Sequence, residues 1–304
     1  MKEEMRVLRE PNDYEWQRLH QRLDTAIADS ARIYLQRLAV RHVHISARKL
    51  SDELQELRLG REPDYKLPGL PLIYALKYMP RRVISVYGSL LSLVGDWYPR
   101  SVLDIGSGTG ATALALDLLN LPRHTHLLGI EPSQEMIEFA ESSPYRYRVS
   151  SRYVQGSMAD LAEGVLSLDR FDLIVFSTCL PYHFDDWDPL MTTIGKYQGQ
   201  ETKRILVIEP DAKEDLLTSF RLRLMARGWP TAVLCCHDLP EVIKQDGLTL
   251  PEMTDVWQRL GLEGAPSTWW NPPDDKFLIA NPEPAVLSGS TDVDLAQMRA
   301  AIIA

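Results

Sequence analysis

The sequence contains little cysteine and no long apolar segment. Only three of its 304 residues are cysteines, Cys179, Cys235 and Cys236, so a disulfide framework is excluded and the adjacent pair would bridge only under strain. Charge or proline interrupts every apolar run before it reaches the length of a bilayer span. The first residues lack the apolar region of a secretion signal. We therefore expect a cytoplasmic protein that does not contact a membrane.

An excess of positive charge is also missing. The formal net charge is −9, which argues against non-specific nucleic-acid binding, because such binding depends on neutralising phosphates. The charge is uneven along the chain. Residues 1–100 hold 17 Lys and Arg against 13 Asp and Glu, whereas residues 101–304 hold 16 against 29. A local basic face in the first hundred residues stays possible.

The first hundred residues are predicted to be mainly helical. Apolar residues recur every three or four positions from Tyr14 to Val40, as expected for one amphipathic helix with arginines elsewhere on its surface. Further helices are predicted from Ser51, a candidate N-cap, to Gly60, and over 72–78 and 81–94 on either side of Pro80.

After residue 100, short apolar strands alternate with helices. Strands are predicted at 101–105, 126–131, 152–155, 171–177, 204–209, 231–236 and 276–280. Helices are predicted at 111–120, 133–142, 186–197, 212–227 and 251–260. This alternation predicts an α/β, Rossmann-like fold with a seven-stranded, mostly parallel sheet and helices on both faces, preceded by the helical region. The last strand is expected as an antiparallel addition at the sheet edge. We divide the chain into a helical region at 1–98, an α/β domain at 99–281 and a tail at 282–304.

The strongest motif lies between Val102 and Gly110. Gly106, Gly108 and Gly110 follow an apolar run that contains Asp104. Glycine allows positive φ and lets the backbone approach a ligand closely. In α/β folds, a strand, a glycine turn and a helix bind adenosine-type cofactors. The sequence has no G-x-x-x-x-G-K-[ST] P-loop, and a dehydrogenase fingerprint would space its glycines as G-x-G-x-x-G instead.

Acidic residues follow the other strands where a cofactor of this type needs them. Glu131 ends the second strand, where a carboxylate can hold both ribose hydroxyls. Met158 and Asp160 follow the third strand and offer an apolar wall and an acceptor for an adenine amino group. Glu209 and Asp211 end the fifth strand and either bind an acceptor amine or serve as strand-end and N-cap acids.

These motifs resemble those of the class I S-adenosylmethionine-dependent methyltransferases. The resemblance covers about residues 100–280 and rests on Asp-x-Gly-x-Gly-x-Gly, the acid after strand two, the Ala-Asp after strand three and Phe-Asp-Leu-Ile-Val in strand four. It implies S-adenosylmethionine as cofactor and S-adenosylhomocysteine as product, with 99–281 as the methyltransferase domain and 1–98 as an acceptor or lid region. It assigns cofactor binding to Asp104, Gly106, Ser107, Gly108, Gly110, Glu131, Pro132, Ser157, Met158, Asp160, Ser177 and Thr178. No metal is implied.

A closer resemblance is to the ribosomal small-subunit methyltransferase-like family. It rests on the segment from Leu76 to Pro80, the run from Tyr98 into the glycine turn, and Ile205 to Pro210. That family often carries a four-cysteine cluster after strand six, taken to hold an iron–sulfur centre. This chain has no cysteine beyond Cys236, so a four-thiolate cluster cannot be assembled.

Transfer to a hydroxyl or a protonated amine needs a base, and His183 after strand four is the first candidate. The alternative is a histidine that merely caps the next helix. Tyr182 either positions the acceptor or belongs to the core. His42 and His44 have no evident third metal ligand. Trp269 and Trp270 suit a lid, or aromatic packing under a loop.

Three functions fit these patterns. The first is a methyltransferase that modifies an N or O nucleophile of a small molecule or peptide. The second is a methyltransferase for small-subunit ribosomal RNA that docks through the Arg-rich N-terminal helices. The third is a non-catalytic, cofactor-binding ribosome assembly factor. The acidic C-terminal two-thirds favours the first.

Overall fold

The fold was analysed in a computed structural model. It describes residues 13–58, 61, 63–93, 97–121, 123–144, 148–158, 160, 163, 168–180, 187–195, 203–210, 214–235, 250–262 and 275–280. Four helices come first, α1 (Asp13–Val40), α2 (Ala47–Arg58), α3 (Leu70–Lys77) and α4 (Met79–Leu93). Within the described residues, no helix combines the length and the apolar character needed to cross a bilayer.

Strands and helices then alternate, as the sequence predicts. The strands are β1 (Ser101–Ile105), β2 (Thr125–Glu131), β3 (Val149–Gln155), β4 (Leu173–Ser177), β5 (Arg204–Pro210), β6 (Thr231–Cys235) and β7 (Asp275–Ala280). The helices among them are α5 (Ala111–Leu118), α6 (Gln134–Ala140), α7 (Trp187–Gly195), α8 (Glu214–Met225) and α9 (Pro251–Arg259). Predicted and observed bounds agree within three residues.

The strands form one twisted sheet in the order β3-β2-β1-β4-β5-β7-β6. Parallel pairing joins the first five, and β7 pairs antiparallel with β5 on one side and β6 on the other. The α/β architecture with a largely parallel sheet is therefore confirmed. The last strand is antiparallel, as expected from the missing crossover helix, and it is inserted between β5 and β6, one strand in from the edge of the sheet.

The strand order reverses between β1 and β4, because the chain moves outward to β3 and then returns to the other side of β1. In open α/β sheets, ligands bind in the crevice outside the carboxyl ends of the strands at such a reversal. The glycine turn after β1 lies at this point.

Each face of the sheet carries its own hydrophobic core. Val102, Leu173 and Leu206 lie on one face, in the same cluster as the buried residues of α1 to α6 and α9. Leu103, Ile174 and Val207 alternate with them and pack against α7 and α8 on the other face. This is the period-two pattern of a strand buried on both sides. The N-terminal helices therefore share the core of the sheet.

Polar contacts join α1 to α9 as well. Both carboxylate oxygens of Asp24 accept hydrogen bonds from the first turn of α9, from the amides of Glu252 and Met253, each at 2.9 Å. Arg32 Nη1 lies 2.9 Å from Glu252 Oε2. A side chain of α1 thus satisfies helix amides that would otherwise lack a partner.

One predicted cap was wrong. Ser51 lies inside α2, and the hydroxyl of Ser46 accepts the hydrogen bond from the amide of Lys49 at 3.3 Å. A serine in the first turns of a helix resembles an N-cap in sequence, so the local pattern placed the start too late.

Candidate active site

All three glycines of the turn have a backbone conformation that favours glycine, and at two of them a side chain would also collide with a neighbour. Gly106, Gly108 and Gly110 all have positive φ, at 66°, 51° and 85°. A Cβ on Gly106 would lie 2.5 Å from Cβ of Cys179, and one on Gly110 would lie 2.8 Å from the hydroxyl of Tyr153. A Cβ on Gly108 would meet only the carbonyl oxygen of Gly106, at 3.9 Å. The space above Gly108 is therefore open to a ligand.

Hydrogen bonds fix this turn to the end of β2. The amides of Gly106 and Ser107 donate to the carbonyl oxygen of Ile130 at 2.9 and 3.0 Å. Glu131 then accepts from the amide of Gly108 at 2.9 Å and from that of Ser133 at 3.0 Å. Its carboxylate is 6% exposed, and burial raises its pKa, against the effect of these two hydrogen bonds.

Three buried polar side chains beside the turn lack a hydrogen-bond partner among the described groups. Asp104 is 1% exposed, and no described group makes a hydrogen bond of good geometry to its oxygens, although the Thr112 side chain is near enough to favour the carboxylate. The hydroxyl groups of Ser107 and Ser177 are also buried and have no hydrogen-bond partner among the described groups. Burial raises the pKa of Asp104 to about 7; the Thr112 side chain opposes the shift and the Glu131 carboxylate adds to it. Unsatisfied buried polar groups are costly and rare, so this cluster is suited to a polar ligand.

The residues expected near an adenine, Ser157, Met158 and Asp160, directly follow β3. Asp160 accepts hydrogen bonds from the amide and the hydroxyl of Ser157, which lower its pKa. Met158 packs against the core beneath α7 and α8. Pro132 is exposed, and its carbonyl accepts from Nε2 of Gln155 at 3.0 Å. These residues lie beside β2 on the side away from β4.

The end of β4 adopts an unusual backbone conformation. Thr178 has φ of 54°, and its amide donates to the carbonyl of Ile208 at 2.7 Å. The fully buried Glu209 accepts from the amide of Leu180 at 2.8 Å. A strained non-glycine residue persists only where its surroundings hold it. Glu209 therefore positions the segment that follows β4, which brings Cys179 against Gly106.

Several predicted residues lie outside the described part of the chain. They are Tyr182, His183, Asp211, Trp269 and Trp270. The described residues contain no group of three His, Cys, Asp or Glu side chains arranged for a metal ion, and both His42 and His44 are exposed.

Sequence reasoning missed Tyr153 and Gly129. The Tyr153 ring lies over Gly129, so a Cβ there would be 2.4 Å from Cδ1 of Tyr153 and 2.8 Å from Oγ of Ser107. The same ring approaches Gly110. Glycine inside a strand marks such a close approach, so Gly129 was the available signal, although it did not identify the neighbour.

Residues 102–197 match the family profile of a methyltransferase domain. The chain contains a methyltransferase domain. The match includes the glycine turn, the acid at the end of β2 and all of β4, and the methyl donor of this domain is S-adenosylmethionine. The search among curated proteins found no match.

Several solved methyltransferases have a similar fold. The plantazolicin methyltransferase BpumL, solved with S-adenosylhomocysteine, is 14% identical, with a TM-score of 0.39 over 88% of this chain and 99% of its own. Precorrin-6y C5,15-methyltransferase from Geobacter metallireducens is 16% identical, with a TM-score of 0.41 over 65% and 86%. A tRNA (uracil-54, C5)-methyltransferase from Pyrococcus abyssi is 11% identical, with a TM-score of 0.38 over 66% and 37%. With identities and TM-scores this low, the acceptors of these proteins are not carried over to this chain.

Proposed function

We propose that this methyltransferase modifies a nitrogen or oxygen nucleophile of a small molecule or peptide in the cytoplasm. The observation that carries the choice of acceptor is the pairing of the arginines of α1. Nη2 of Arg22 lies 3.6 Å from Asp117, Nη1 of Arg32 lies 2.9 Å from Glu252, and Nη2 of Arg41, just after α1, lies 2.7 Å from Glu138.

These ion pairs weaken the case for RNA as the acceptor. Each of the three arginines faces a carboxylate of α5, α6 or α9, so much of its charge is compensated within the protein. Arg37 instead donates to the carbonyls of Glu138 and Glu141, at 3.4 and 3.3 Å. An RNA-docking face needs cations that can neutralise phosphates. The Arg-rich helix is better explained as the attachment of α1 to the rest of the protein.

The buried polar atoms at the glycine turn fit the cofactor. In our proposal the buried carboxylate of Asp104 orients the turn and reaches the methionine ammonium through the backbone or a water molecule. The open space at Gly108 admits the cofactor close to the backbone. Glu131 holds the ribose, since a carboxylate that accepts two amide hydrogen bonds keeps lone pairs for hydroxyl donors. Gly106, Ser107, Gly110 and Pro132 shape this part of the site.

Other proposed roles follow from position in the sheet. Ser157, Met158 and Asp160 bind the adenine beside β2, and Ser177 and Thr178 border the methyl-transfer site at β4. The domain spans 99–281, and the helices within 1–98 supply the acceptor side. For the residues after β4, we propose His183 as the base and Tyr182 as a positioning group.

The chemistry needs alignment more than bond activation by the protein. S-adenosylmethionine supplies a methyl carbon that the acceptor's lone pair attacks, while the carbon–sulfur bond breaks and its electrons stay on sulfur. The protein orients the nucleophile in line with that bond and excludes water. His183 takes the proton that the acceptor nitrogen or oxygen releases.

A labelling experiment tests the acceptor class. The protein is incubated with cell extract and S-adenosylmethionine that is tritiated in its methyl group, and the extract is separated into metabolite, peptide and RNA fractions. We expect label in the metabolite or peptide fraction, and none with the Gly108→Arg variant, whose side chain fills the cofactor space. Label confined to RNA would overturn the proposal.

A further inference from the structure

Three tyrosines beside the glycine turn have no role in the function described so far. Tyr65, Tyr74 and Tyr78 form a continuous row, which we call the tyrosine wall. The ring centroids of Tyr65 and Tyr74 are 6.1 Å apart, and those of Tyr74 and Tyr78 are 5.5 Å apart. The hydroxyls of Tyr65 and Tyr74 lie 3.3 Å from each other. Tyr65 is 37% exposed, so the wall reaches the surface.

The wall is attached to the sheet at both ends. At one end, the carbonyl of Tyr65 accepts a hydrogen bond from Oγ of Ser133 at 2.9 Å, and Ser133 caps α6 directly after β2. Beyond the other end, Nη1 of Arg82, which lies one helical turn after Tyr78, donates to the carbonyl of Ser177 at 3.3 Å, where β4 ends. Tyr74, Tyr78 and Arg82 are spaced four residues apart across the end of α3 and the start of α4, which places them on one helical face.

These attachments place the wall at the methyl-transfer site. Because β1 lies between β2 and β4, a row that is tied to the ends of β2 and β4 borders the glycine turn between them. The candidate adenine residues after β3 lie on the other side of β2. The wall is therefore positioned on the acceptor side of the site.

Two cationic side chains, those of Lys77 and Arg82, flank the tyrosine wall. Nζ of Lys77 lies 5.1 Å from the ring centroid of Tyr78. Arg82 is half-buried, and its hydrogen-bond partner is a carbonyl oxygen, with no carboxylate bridging to it in the described part of the chain. A guanidinium in such a setting is suited to bind a planar anion through two parallel hydrogen bonds. Aromatic rings, for their part, bind planar groups by stacking.

We infer that the tyrosine wall and Arg82 bind the methyl acceptor, and that this acceptor is a planar aromatic molecule with a carboxylate or similar anionic group. The inference rests on the proposed function and narrows its substrate class. The rings stack on the acceptor, and the guanidinium pairs with its anionic group. Both interactions hold the nucleophile beside Ser177, next to the methyl donor.

Calorimetric titration with three matched probes tests the inference, in the presence of saturating S-adenosylhomocysteine. The probes are 4-hydroxybenzoate, its non-planar analogue 4-hydroxycyclohexanecarboxylate, and its uncharged analogue 4-hydroxybenzamide. We expect 4-hydroxybenzoate to bind in the millimolar range and both analogues to bind at least about fivefold more weakly. Equal affinities for the planar and non-planar acids would overturn the inference.

Substitutions then locate the binding site. We expect Tyr78→Ala to weaken 4-hydroxybenzoate by about fivefold, because the stacking ring is lost, whereas Tyr78→Phe keeps the ring and the affinity. Arg82→Gln should remove the preference for the acid over the amide. Arg61→Gln is the matched control, because Arg61 is exposed and pairs with Glu56 at 2.8 Å. Unchanged binding in Tyr78→Ala would refute the role of the wall.

Cofactor binding separates this inference from the proposed function. If S-adenosylhomocysteine does not bind the wild-type protein, the proposed function fails as well. If it binds and 4-hydroxybenzoate does not, only the inference fails. If Arg82→Gln loses affinity for S-adenosylhomocysteine and keeps its affinity for 4-hydroxybenzoate, Arg82 binds the cofactor. That result would overturn the inference that the acceptor carries an anionic group bound by Arg82. Retention of S-adenosylhomocysteine affinity in Tyr78→Ala shows that this variant is folded.

Discussion

Replacing Asp104 by Asn should stabilise the cofactor-free protein at neutral and alkaline pH while weakening cofactor binding. The carboxyl group is 1% exposed and its oxygens have no hydrogen-bond partner among the described residues. Burial raises its pKa from 3.8 to about 7. The native state therefore takes up a proton at pH values where the unfolded chain has already released it.

The sign of the pH effect follows from this uptake. A folded-state pKa above the unfolded value makes the native state bind more protons between pH 3.8 and about 7, so its stability falls as pH rises through that window. A shift of about 3 pKa units corresponds to about 4 kcal/mol once the group is fully ionised. Asn cannot ionise and avoids this penalty. Its amide stays buried without a partner, which costs about 1–3 kcal/mol at every pH.

Urea unfolding of the cofactor-free protein at several pH values measures the difference. The free energy of unfolding of Asp104→Asn minus that of the wild type should rise by about 2 kcal/mol from pH 5 to pH 7 and level off above about pH 8. Asp24 and Glu131 also have raised pKa values, but both proteins keep them, so their contribution largely cancels. Parallel pH profiles would refute the account of Asp104 as a buried, unpartnered carboxylate.

The same variant tests the role of Asp104 toward the cofactor. S-adenosylmethionine and S-adenosylhomocysteine carry the same α-ammonium group on their amino-acid part, so we expect Asp104→Asn to weaken both by a similar factor of at least about ten. A larger loss for S-adenosylmethionine would indicate that the carboxylate acts on the sulfonium instead. Calorimetry at pH 8 gives both dissociation constants. Calorimetry at pH 6, where Asp104 of the cofactor-free protein is still mostly protonated, shows whether binding releases that proton.

Three further changes have clear expected outcomes. Gly110→Ala should lower the free energy of unfolding by about 1–3 kcal/mol in urea, because it strains a positive φ and brings Cβ to 2.8 Å from the Tyr153 hydroxyl. Gly195→Ala is the control. Its Cβ would lie 3.7 Å from Arg227, so its stability should be near that of the wild type. Gly108→Ala should mainly weaken cofactor binding, because the added Cβ points into the open space of the site, whereas Gly110→Ala should mainly lower stability. Calorimetry measures the cofactor affinity and the melting temperature reports the stability of each variant. The opposite ranking of the two variants would contradict this. Asp24→Ala should cost about 1–2 kcal/mol by removing the cap of α9, and hydrogen exchange should rise at the amides of Glu252 and Met253; protection equal to that of the wild type would refute the capping role.

The strands and the cofactor turn could be predicted because their signals are local. A parallel strand that is buried on both faces is a short, continuous apolar run, and such runs gave the bounds of β1 exactly as observed at Ser101–Ile105. The signal of the turn is equally local, because Gly106, Gly108 and Gly110 all have positive φ, a conformation that favours glycine. The cofactor-binding roles of Asp104 and Glu131 stay predictions, which rest on their place near the carboxyl ends of β1 and β2.

Contacts between distant segments could not be predicted, because hydrophobic periodicity identifies a buried face without naming the element that covers it. Glu209 lies near the end of β5, as one of its two predicted alternatives had it, but the sequence did not show that its carboxylate holds the segment after β4 through the amide of Leu180. The arginines of α1 appeared as a possible RNA-binding surface, yet the acids that pair with Arg22 and Arg32 lie in α5 and α9. A charge count cannot show which charges are paired.

The same limit explains why the tyrosine wall was not foreseen from sequence, although its spacing is visible there. Tyr74, Tyr78 and Arg82 follow one another at intervals of four residues, which predicts a shared helical face and nothing about its neighbours. Only the hydrogen bonds from Ser133 and to Ser177 place this face between the ends of β2 and β4. The ends of β2 and β4 are therefore bordered by residues that precede the part of the chain matching the methyltransferase domain. A truncation that starts at β1 would keep the glycine turn and lose this row of rings. It would also expose the apolar face of the sheet that the N-terminal helices cover, so the acceptor site and the stability of the domain depend on the same segment.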